Sequence, residues 1–172
     1  MPPQLKMFLR AIELSGFSTW VRDSNSIWGY PTVLFLHTLG LAFVVGTSLA
    51  ICIRILGAGS EIPIKPLDKL FPVLWTGFFI NAVSGTILLA IDATYKLSSG
   101  IFWIKMTCIA LAVVTVQMIR KRVFRDRDTG QVTVSRSATW LAACSIALWM
   151  GAIVAGRLQA YLSTAHIAGS DG

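Results

Sequence analysis

The chain has 172 residues, of which 55% are hydrophobic and only 13% charged, and its mean hydropathy is +0.68. A soluble domain of this size cannot bury so much apolar surface, so the composition indicates a membrane protein. The net charge of +7 does not indicate a nucleic-acid partner, because the densest group of basic residues lies in one loop between apolar runs.

The segment of residues 1–26 predicts an amphipathic helix. Leu5, Phe8, Leu9 and Ile12 recur at helical spacing, which favours a helix lying in the periplasmic interface of the membrane. The alternative is an ordinary terminus without fixed structure. Acidic residues interrupt the segment, so it does not have the apolar core of a cleavable signal peptide.

Four apolar runs follow, and each reaches or nearly reaches the ~20 residues that a spanning helix needs. Backbone polar groups in lipid must bond within their own segment, so the runs predict helices rather than strands. Short connections, such as the predicted tight turn YKLSSG at residues 95–100, favour an all-α, antiparallel four-helix transmembrane bundle. The predicted spans are residues 27–56, 70–94, 101–119 and 137–162, and residues 163–172 form a flexible tail.

The basic residues predict how the bundle is oriented. The first and third connections share one side of the membrane and carry most of the basic residues, six of them between Arg120 and Arg136. Connections of this kind stay in the cytoplasm, although they also suit contact with anionic lipid headgroups. We therefore expect a multi-pass protein in the lipid bilayer of the bacterial inner membrane, with both termini in the periplasm.

Polar and small residues recur along one face of the first and second spans, and small residues recur along the fourth. Such faces turn toward neighbouring helices, and for the glycines and alanines close packing is a sufficient role. The positions are His37, Gly40, Val44, Thr47 and Ser48 on the first span, Gly77, Asn81, Ser84, Gly85, Leu88 and Asp92 on the second, and Ala147, Gly151 and Ala155 on the fourth.

His37 is the ionisable residue that needs a specific account. It stands in LFLHTLGLAFVVG, within a run that carries no formal charge from Trp28 to Ile53. Measured from Ile27, it lies ~15 Å along the first helix, too deep to reach the interface. Its imidazole is therefore neutral and hydrogen-bonded, or coupled to a proton path, or bound to a ligand.

Three charged residues are expected at the periplasmic half of the same bundle. Asp92 ends the second span, Lys105 begins the third, and Arg157 approaches the end of the fourth. Charges at helix ends often reach the interface or pair with one another. The functional alternative is a polar site to which each of the four helices contributes one ionisable residue.

Five segments, spread over about residues 28–162, carry a resemblance to known families: LHTLGLAFVVG, RILG, WTGFFINAVSGTILLA, FWIKM and LWMGAIVAGRLQAYL. The chain resembles a broad group of small, largely uncharacterised four-helix inner-membrane proteins of bacteria. More distantly, His-x-x-Gly in the first span is similar to the membrane domain of the copper resistance protein D family. It also resembles the haem-binding protoporphyrinogen oxidases of bacterial membranes.

The resemblance implies an inward His37 that serves haem b as axial ligand. Lys105 and Arg157 would then pair with the haem propionates at the periplasmic interface. The chain departs from a di-histidine haem protein, because its other histidine, His166, follows the fourth span.

Other ligand sets remain open. The haem iron would be five-coordinate, or it would take Met106, Met150 or a histidine of another subunit as its sixth ligand. Copper held by His37, Cys108 and Met106 is the second option for a metal. The three cysteines show no CxxC spacing, so zinc and disulfides are not predicted.

Three functions are compatible with these features. The first is a haem-b electron-transfer subunit acting between quinone and a periplasmic partner. The second is a non-catalytic anchor or assembly subunit that binds a membrane or periplasmic protein, or a second copy of itself. The third is a copper-handling or small-solute transport protein. The chain carries no soluble-enzyme motif and no predicted catalytic residue, which favours a protein that is not an enzyme on its own. The resemblance leaves a membrane oxidase activity through haem open.

Overall fold

The computed structural model describes residues 2–59, 61, 63–124 and 135–168, except for the side chains of residues 163–168. Within these ranges all regular structure is helical. Four segments are long and apolar enough to cross a membrane, namely Tyr30–Ile55, Lys65–Ala90, Gly100–Val123 and Arg136–Leu162. The chain is therefore an all-helical, multi-pass membrane protein, which confirms the class that its composition predicts.

Seven α-helices are described in chain order. The four long helices α3, α4, α6 and α7 provide the candidate spans, and a 3₁₀ turn at Lys65–Lys69 leads into α4. The helices are α1 (Pro3–Glu13), α2 (Gly16–Asp23), α3 (Tyr30–Ile55), α4 (Leu70–Ala90), α5 (Ala93–Ser98), α6 (Gly100–Val123) and α7 (Arg136–Ala168).

The N-terminal segment forms two helices instead of the single predicted one. Ser15 separates them, and its Oγ accepts a hydrogen bond from the backbone N–H of Ser18 at 3.3 Å. A serine in this position caps the start of a helix and so fixes the beginning of α2.

The ends of two spans differ from the prediction. α3 begins at Tyr30 rather than at residue 27, because a turn precedes it and Pro31 fits the first turn of a helix, where its missing N–H is not needed. α4 ends at Ala90, and the short helix α5 occupies most of the segment YKLSSG. The prediction of a tight turn at residues 95–100 is therefore wrong.

The chain divides into two compact units, each of which contains parts of several helices. The first unit is Met1–Gly46 with Pro72–Ser99, and the second is Thr47–Phe71 with Gly100–Gly172. In the first unit, Val21 and Val33 pack with Ile91 in an apolar cluster. In the second, the buried side chains include Ile51, Phe71, Ile119 and Trp149.

Helix neighbours within each unit run in opposite directions. In the first unit, Gly40 of α3 lies against Asn81 of α4, and Phe43 lies against Gly77. The residue number therefore rises along α3 while it falls along α4. In the second unit, Lys105 and Cys108 of α6 lie against Gly156 and Gly151 of α7 in the same reversed order. Each of these two pairs is antiparallel.

Candidate functional site around His37

Two glycines bring the first half of α3 and α4 into close contact. A Cβ atom added to Gly40 would lie 2.7 Å from the backbone nitrogen of Asn81, and one added to Gly77 would lie 2.6 Å from Cβ of Phe43. Neither distance is tolerable for a real side chain, so both positions require glycine. Small residues commonly allow membrane helices to approach in this way.

One helical turn from this approach, three side chains form what we call the His37 clasp: His37 on α3, with Asn81 and Ser84 on α4. Nδ1 of His37 lies 3.1 Å from the backbone carbonyl oxygen of Asn81 and 3.2 Å from Oγ of Ser84. In return, Nδ2 of Asn81 donates to the backbone carbonyl of His37 at 2.8 Å. The two helices are thus joined by hydrogen bonds in both directions.

The shorter of two contacts between Nδ1 and Asn81 favours one tautomer of His37. The carbonyl oxygen of Asn81, at 3.1 Å, can only accept a hydrogen bond and therefore favours a proton on Nδ1, whereas Nδ2 of Asn81 lies farther away, at 3.4 Å. The Ser84 hydroxyl meanwhile donates to the backbone carbonyl of Ile80 at 2.6 Å. In a neutral imidazole of this tautomer, the lone pair that can bind a metal or a proton is on Nε2.

Gly85 makes room for the imidazole ring. A Cβ atom at this position would stand 3.0 Å from Cε1 and 3.3 Å from Nδ1 of His37. His37 is half-buried, whereas Ser84 is only 3% exposed. Since α3 begins at Tyr30, His37 lies seven residues, or about 10 Å, along the helix rather than the ~15 Å expected from the sequence.

The remaining residues predicted for the site divide between the two units. Asn81 and Asp92 belong to the first unit with His37, whereas Lys105 and Arg157 belong to the second. The structure brings His37 and Asn81 into contact. It also places the end of the Lys105 side chain against Gly156, the neighbour of the exposed Arg157.

Asp92 lies among charges of its own unit, outside the spanning helices. Burial raises the pKa of its carboxyl group above the ordinary value, Lys96 and Arg22 oppose the shift, and Glu13 adds to it. Glu13 also joins α1 to α5, because its Oε1 accepts a hydrogen bond from the backbone N–H of Thr94 at 2.6 Å. Asp92 is therefore part of a charged cluster with Lys96, Arg22 and Glu13.

The proposed metal ligands other than His37 belong to the second unit. Among the residues that the structure describes, no group of three or more His, Cys, Asp or Glu side chains is arranged to hold a metal ion. Met106 and Met150, the proposed sixth ligands, are 42% and 50% exposed, and they belong to the second unit with Cys108. His166 falls among the residues whose side chains are not described.

Comparison with known proteins identifies no relative: no protein-family model, no curated protein and no solved structure matches the chain.

Two polar features of the structure were not recognised in the sequence. Nε1 of Trp149 donates to Oγ of Ser48 at 3.0 Å inside the second unit. Gln159 is only 8% exposed, and its Nε2 has no hydrogen-bond partner in the described part of the chain. The signal for Gln159 was present, because it is an amide on the same helical face as Gly156 near the end of an apolar run.

Proposed function

We propose that this membrane protein is a haem-b-binding electron-transfer subunit in which Nε2 of His37 is the axial ligand. The observation that carries the proposal is the hydrogen bond from Nδ1 of His37 to the backbone carbonyl of Asn81. Histidines that ligate metals almost always donate their other N–H to a carbonyl, a carboxylate or water, which fixes both the tautomer and the ring orientation.

The residues around His37 suit an axial ligand. Asn81 and Ser84 hold the ring from one side, and Gly85 permits it to lie against the backbone of α4. When bound, haem b supplies an iron centre that takes up and releases one electron, at a potential set by the axial ligand and by burial. Since Lys105 and Arg157 belong to the second unit, the proposal does not rely on them.

Visible absorption of the purified protein from haem-replete cells tests this proposal. We expect a Soret band, with α and β bands after dithionite reduction, that disappears in His37→Ala. The matched control is His166→Ala, which removes the other histidine and should leave the spectrum unchanged. Adding imidazole to His37→Gly should restore the bands, because free imidazole can occupy the vacated position. A featureless wild-type spectrum would contradict the proposal.

A second candidate function is that of a non-catalytic anchor or assembly subunit. The observation in its favour is that the hydrogen bonds of the His37 clasp already join α3 to α4 without any ligand. In that case His37 is a packing residue, and the protein acts through a surface that binds another protein. Wild-type protein without haem, combined with loss of stability in His37→Ala, would favour this function.

We further propose that the helices form one antiparallel bundle in the bacterial inner membrane, with cytoplasmic basic loops and periplasmic termini. Support comes from Arg120 at the end of α6, whose Nε lies 3.9 Å from Asp68 in the first connection. The contact indicates that the first and third connections share a side. Labelling of cysteines introduced at Lys121 and Ser98 in intact cells tests this orientation: only the cysteine at 98 should react with an impermeant reagent.

The proposal extends to α1 and α2, which would lie in the periplasmic interface of the membrane. Exposed apolar side chains of these helices and of the residue after α1 support it: Met7, Phe8, Leu14 and Phe17 are 56–73% exposed. Amphipathic helices of this kind lie along a membrane surface, with their apolar side chains in the headgroup region.

A further inference from the structure

Lys105 is a lysine on a spanning helix whose side chain lies across a neighbouring helix. Its Cδ, Cε and Nζ atoms stand 3.7–3.9 Å from the position that a Cβ atom of Gly156 would occupy. The absence of a side chain at Gly156 therefore leaves the space that the end of Lys105 fills. Lys105 is half-buried there, about 7.5 Å along α6 from Gly100.

The second unit supplies no described anion for this ammonium group. Neither α6 nor α7 contains an Asp or a Glu. The Asp68 carboxylate lies near Arg120, at the opposite end of α6. Across the described ranges of the chain, no hydrogen bond or salt bridge of the Lys105 ammonium is found.

Gln159 is a second polar side chain near the same end of α7. It lies one helical turn beyond Gly156, and helical side chains lean back toward the N-terminus, which is the direction of Gly156. Gln159 is 8% exposed and therefore 92% buried, and its Nε2 lacks a partner among the described residues. A buried amide N–H without an acceptor is costly, so this position favours the binding of an acceptor.

We propose that Lys105 and Gln159 form a binding site for an oxyanion, which is the phosphate of an anionic phospholipid. Lys105, a charged donor, lies over Gly156, and Gln159, a neutral donor, follows one helical turn later; neither has an acceptor among the described residues. A phosphate accepts from both at once, and charge-assisted hydrogen bonds of this type are the stronger class.

The position favours a lipid over a free anion. Lys105 is near the end of a spanning helix, where lipid phosphates lie, and basic pockets between membrane helices bind anionic headgroups. Trp103 and Ile104, the residues before Lys105, are 57% and 59% exposed and offer an apolar surface for acyl chains. The exposed Arg157 adds a positive charge beside the site.

Lipid titration of the full-length protein in detergent tests the site. The probe is phosphatidylglycerol, and the readouts are its dissociation constant by native mass spectrometry and the rise in melting temperature at saturation. We expect Lys105→Gln to weaken binding by about tenfold or more, because it removes the charge that assists the hydrogen bond. The matched control is Lys121→Gln, which removes an exposed charge from the other end of α6 and should change the dissociation constant by less than about twofold.

A second variant separates ligand loss from misfolding. Gln159→Glu places a carboxylate where the lipid phosphate would lie, so it should raise the melting temperature of the lipid-free protein and abolish the response to phosphatidylglycerol. Equal binding by Lys105→Gln and Lys121→Gln would overturn the proposal. Titration with inorganic phosphate tests whether the bound anion is a lipid. If phosphate alone raised the melting temperature as much as the lipid does, and if this rise required Lys105, the assignment to a lipid would be wrong.

Discussion

The helix pairs of the two units use small residues to bring backbones together, but they treat polar groups in opposite ways. Between α3 and α4, the side chain of Asn81 and the ring of His37 satisfy each other's backbone carbonyls. Between α6 and α7, Lys105 lies over Gly156 without a described acceptor, and Nε2 of the buried Gln159 has no partner among the described residues. The first pair completes its own hydrogen bonds, whereas the second leaves donors for a molecule that is not part of the chain.

This contrast separates a polar residue that stabilises a membrane bundle from one that recognises a ligand. Inside a bilayer no water satisfies an amide, so an unpaired donor destabilises the protein unless something else binds it. Residue type alone does not distinguish the two cases, since Asn81 and Gln159 are both amides on spanning helices. The two amides differ in whether a carbonyl of the neighbouring helix accepts their hydrogen bond.

The largest expected effect comes from the close approach in the first pair. Gly40→Ala places a Cβ atom 2.7 Å from the backbone nitrogen of Asn81, and backbone atoms of α4 cannot move aside cheaply. We expect the free energy of unfolding to fall by about 2 kcal/mol or more. The matched control on the same helix is Gly46→Ala, which meets nothing within 4 Å and should be neutral or slightly stabilising. Equal melting temperatures of the two variants in detergent would contradict the close packing.

The next predicted change in the free energy of unfolding has opposite signs in the α3–α4 and α6–α7 pairs. Asn81→Leu removes the donor to the His37 carbonyl and should lower the free energy of unfolding by about 0.6–1.7 kcal/mol. Gln159→Leu removes a buried amide without a partner, so it should raise that free energy by a similar amount in protein stripped of lipid.

Thr86→Val is the control for the amide pair, because the Thr86 hydroxyl is exposed and donates to the Ala82 carbonyl of its own helix. It should change little. Unfolding titrations of all three variants measure these differences. Destabilisation by Gln159→Leu as large as by Asn81→Leu would show that the two pairs do not differ in the way described.

The smallest effect concerns pH at the charged cluster of the first unit. Because burial raises the folded-state pKa of Asp92, folding favours its neutral form, and the contribution to stability is present at low pH and lost as the pH rises through that pKa. Asp92→Asn should therefore melt slightly higher than the wild type at neutral pH and equally at strongly acidic pH. Asp23→Asn is the opposite control, since Arg22 lowers the pKa of the exposed Asp23 carboxyl, and this variant should not gain stability at neutral pH.

Much of the helical framework follows from the sequence, because long apolar runs have few alternatives to helices in a membrane. The helical spacing of Gly77, Asn81, Ser84 and Gly85 likewise placed them on one face. The short helices were missed for local reasons: Ser15 caps a second N-terminal helix, and the serines of YKLSSG resemble a turn although residues 95–98 are helical.

The candidate site was harder to predict than the helices. Periodicity shows that His37 and Asn81 lie on inward faces, but it does not give the register between two helices, which decides that Nδ1 faces a carbonyl. The sequence groups Lys105 and Arg157 with His37 because they share an end of the spans. Sequence distance along a helix does not give the neighbour that a side chain contacts, and the contact of Lys105 with Gly156 of α7 comes from the structure alone.

The most direct test of the His37 assignment is nitrogen NMR of the protein labelled with ¹⁵N-histidine, using His166→Ala so that His37 gives the remaining histidine signals. With the residues of the His37 clasp unchanged, we expect a protonated Nδ1 of His37, together with an Nε2 that carries a lone pair or a ligand. A His37 with its proton on Nε2 and an unprotonated Nδ1 would contradict both the hydrogen bond to Asn81 and the role of Nε2 as a ligand.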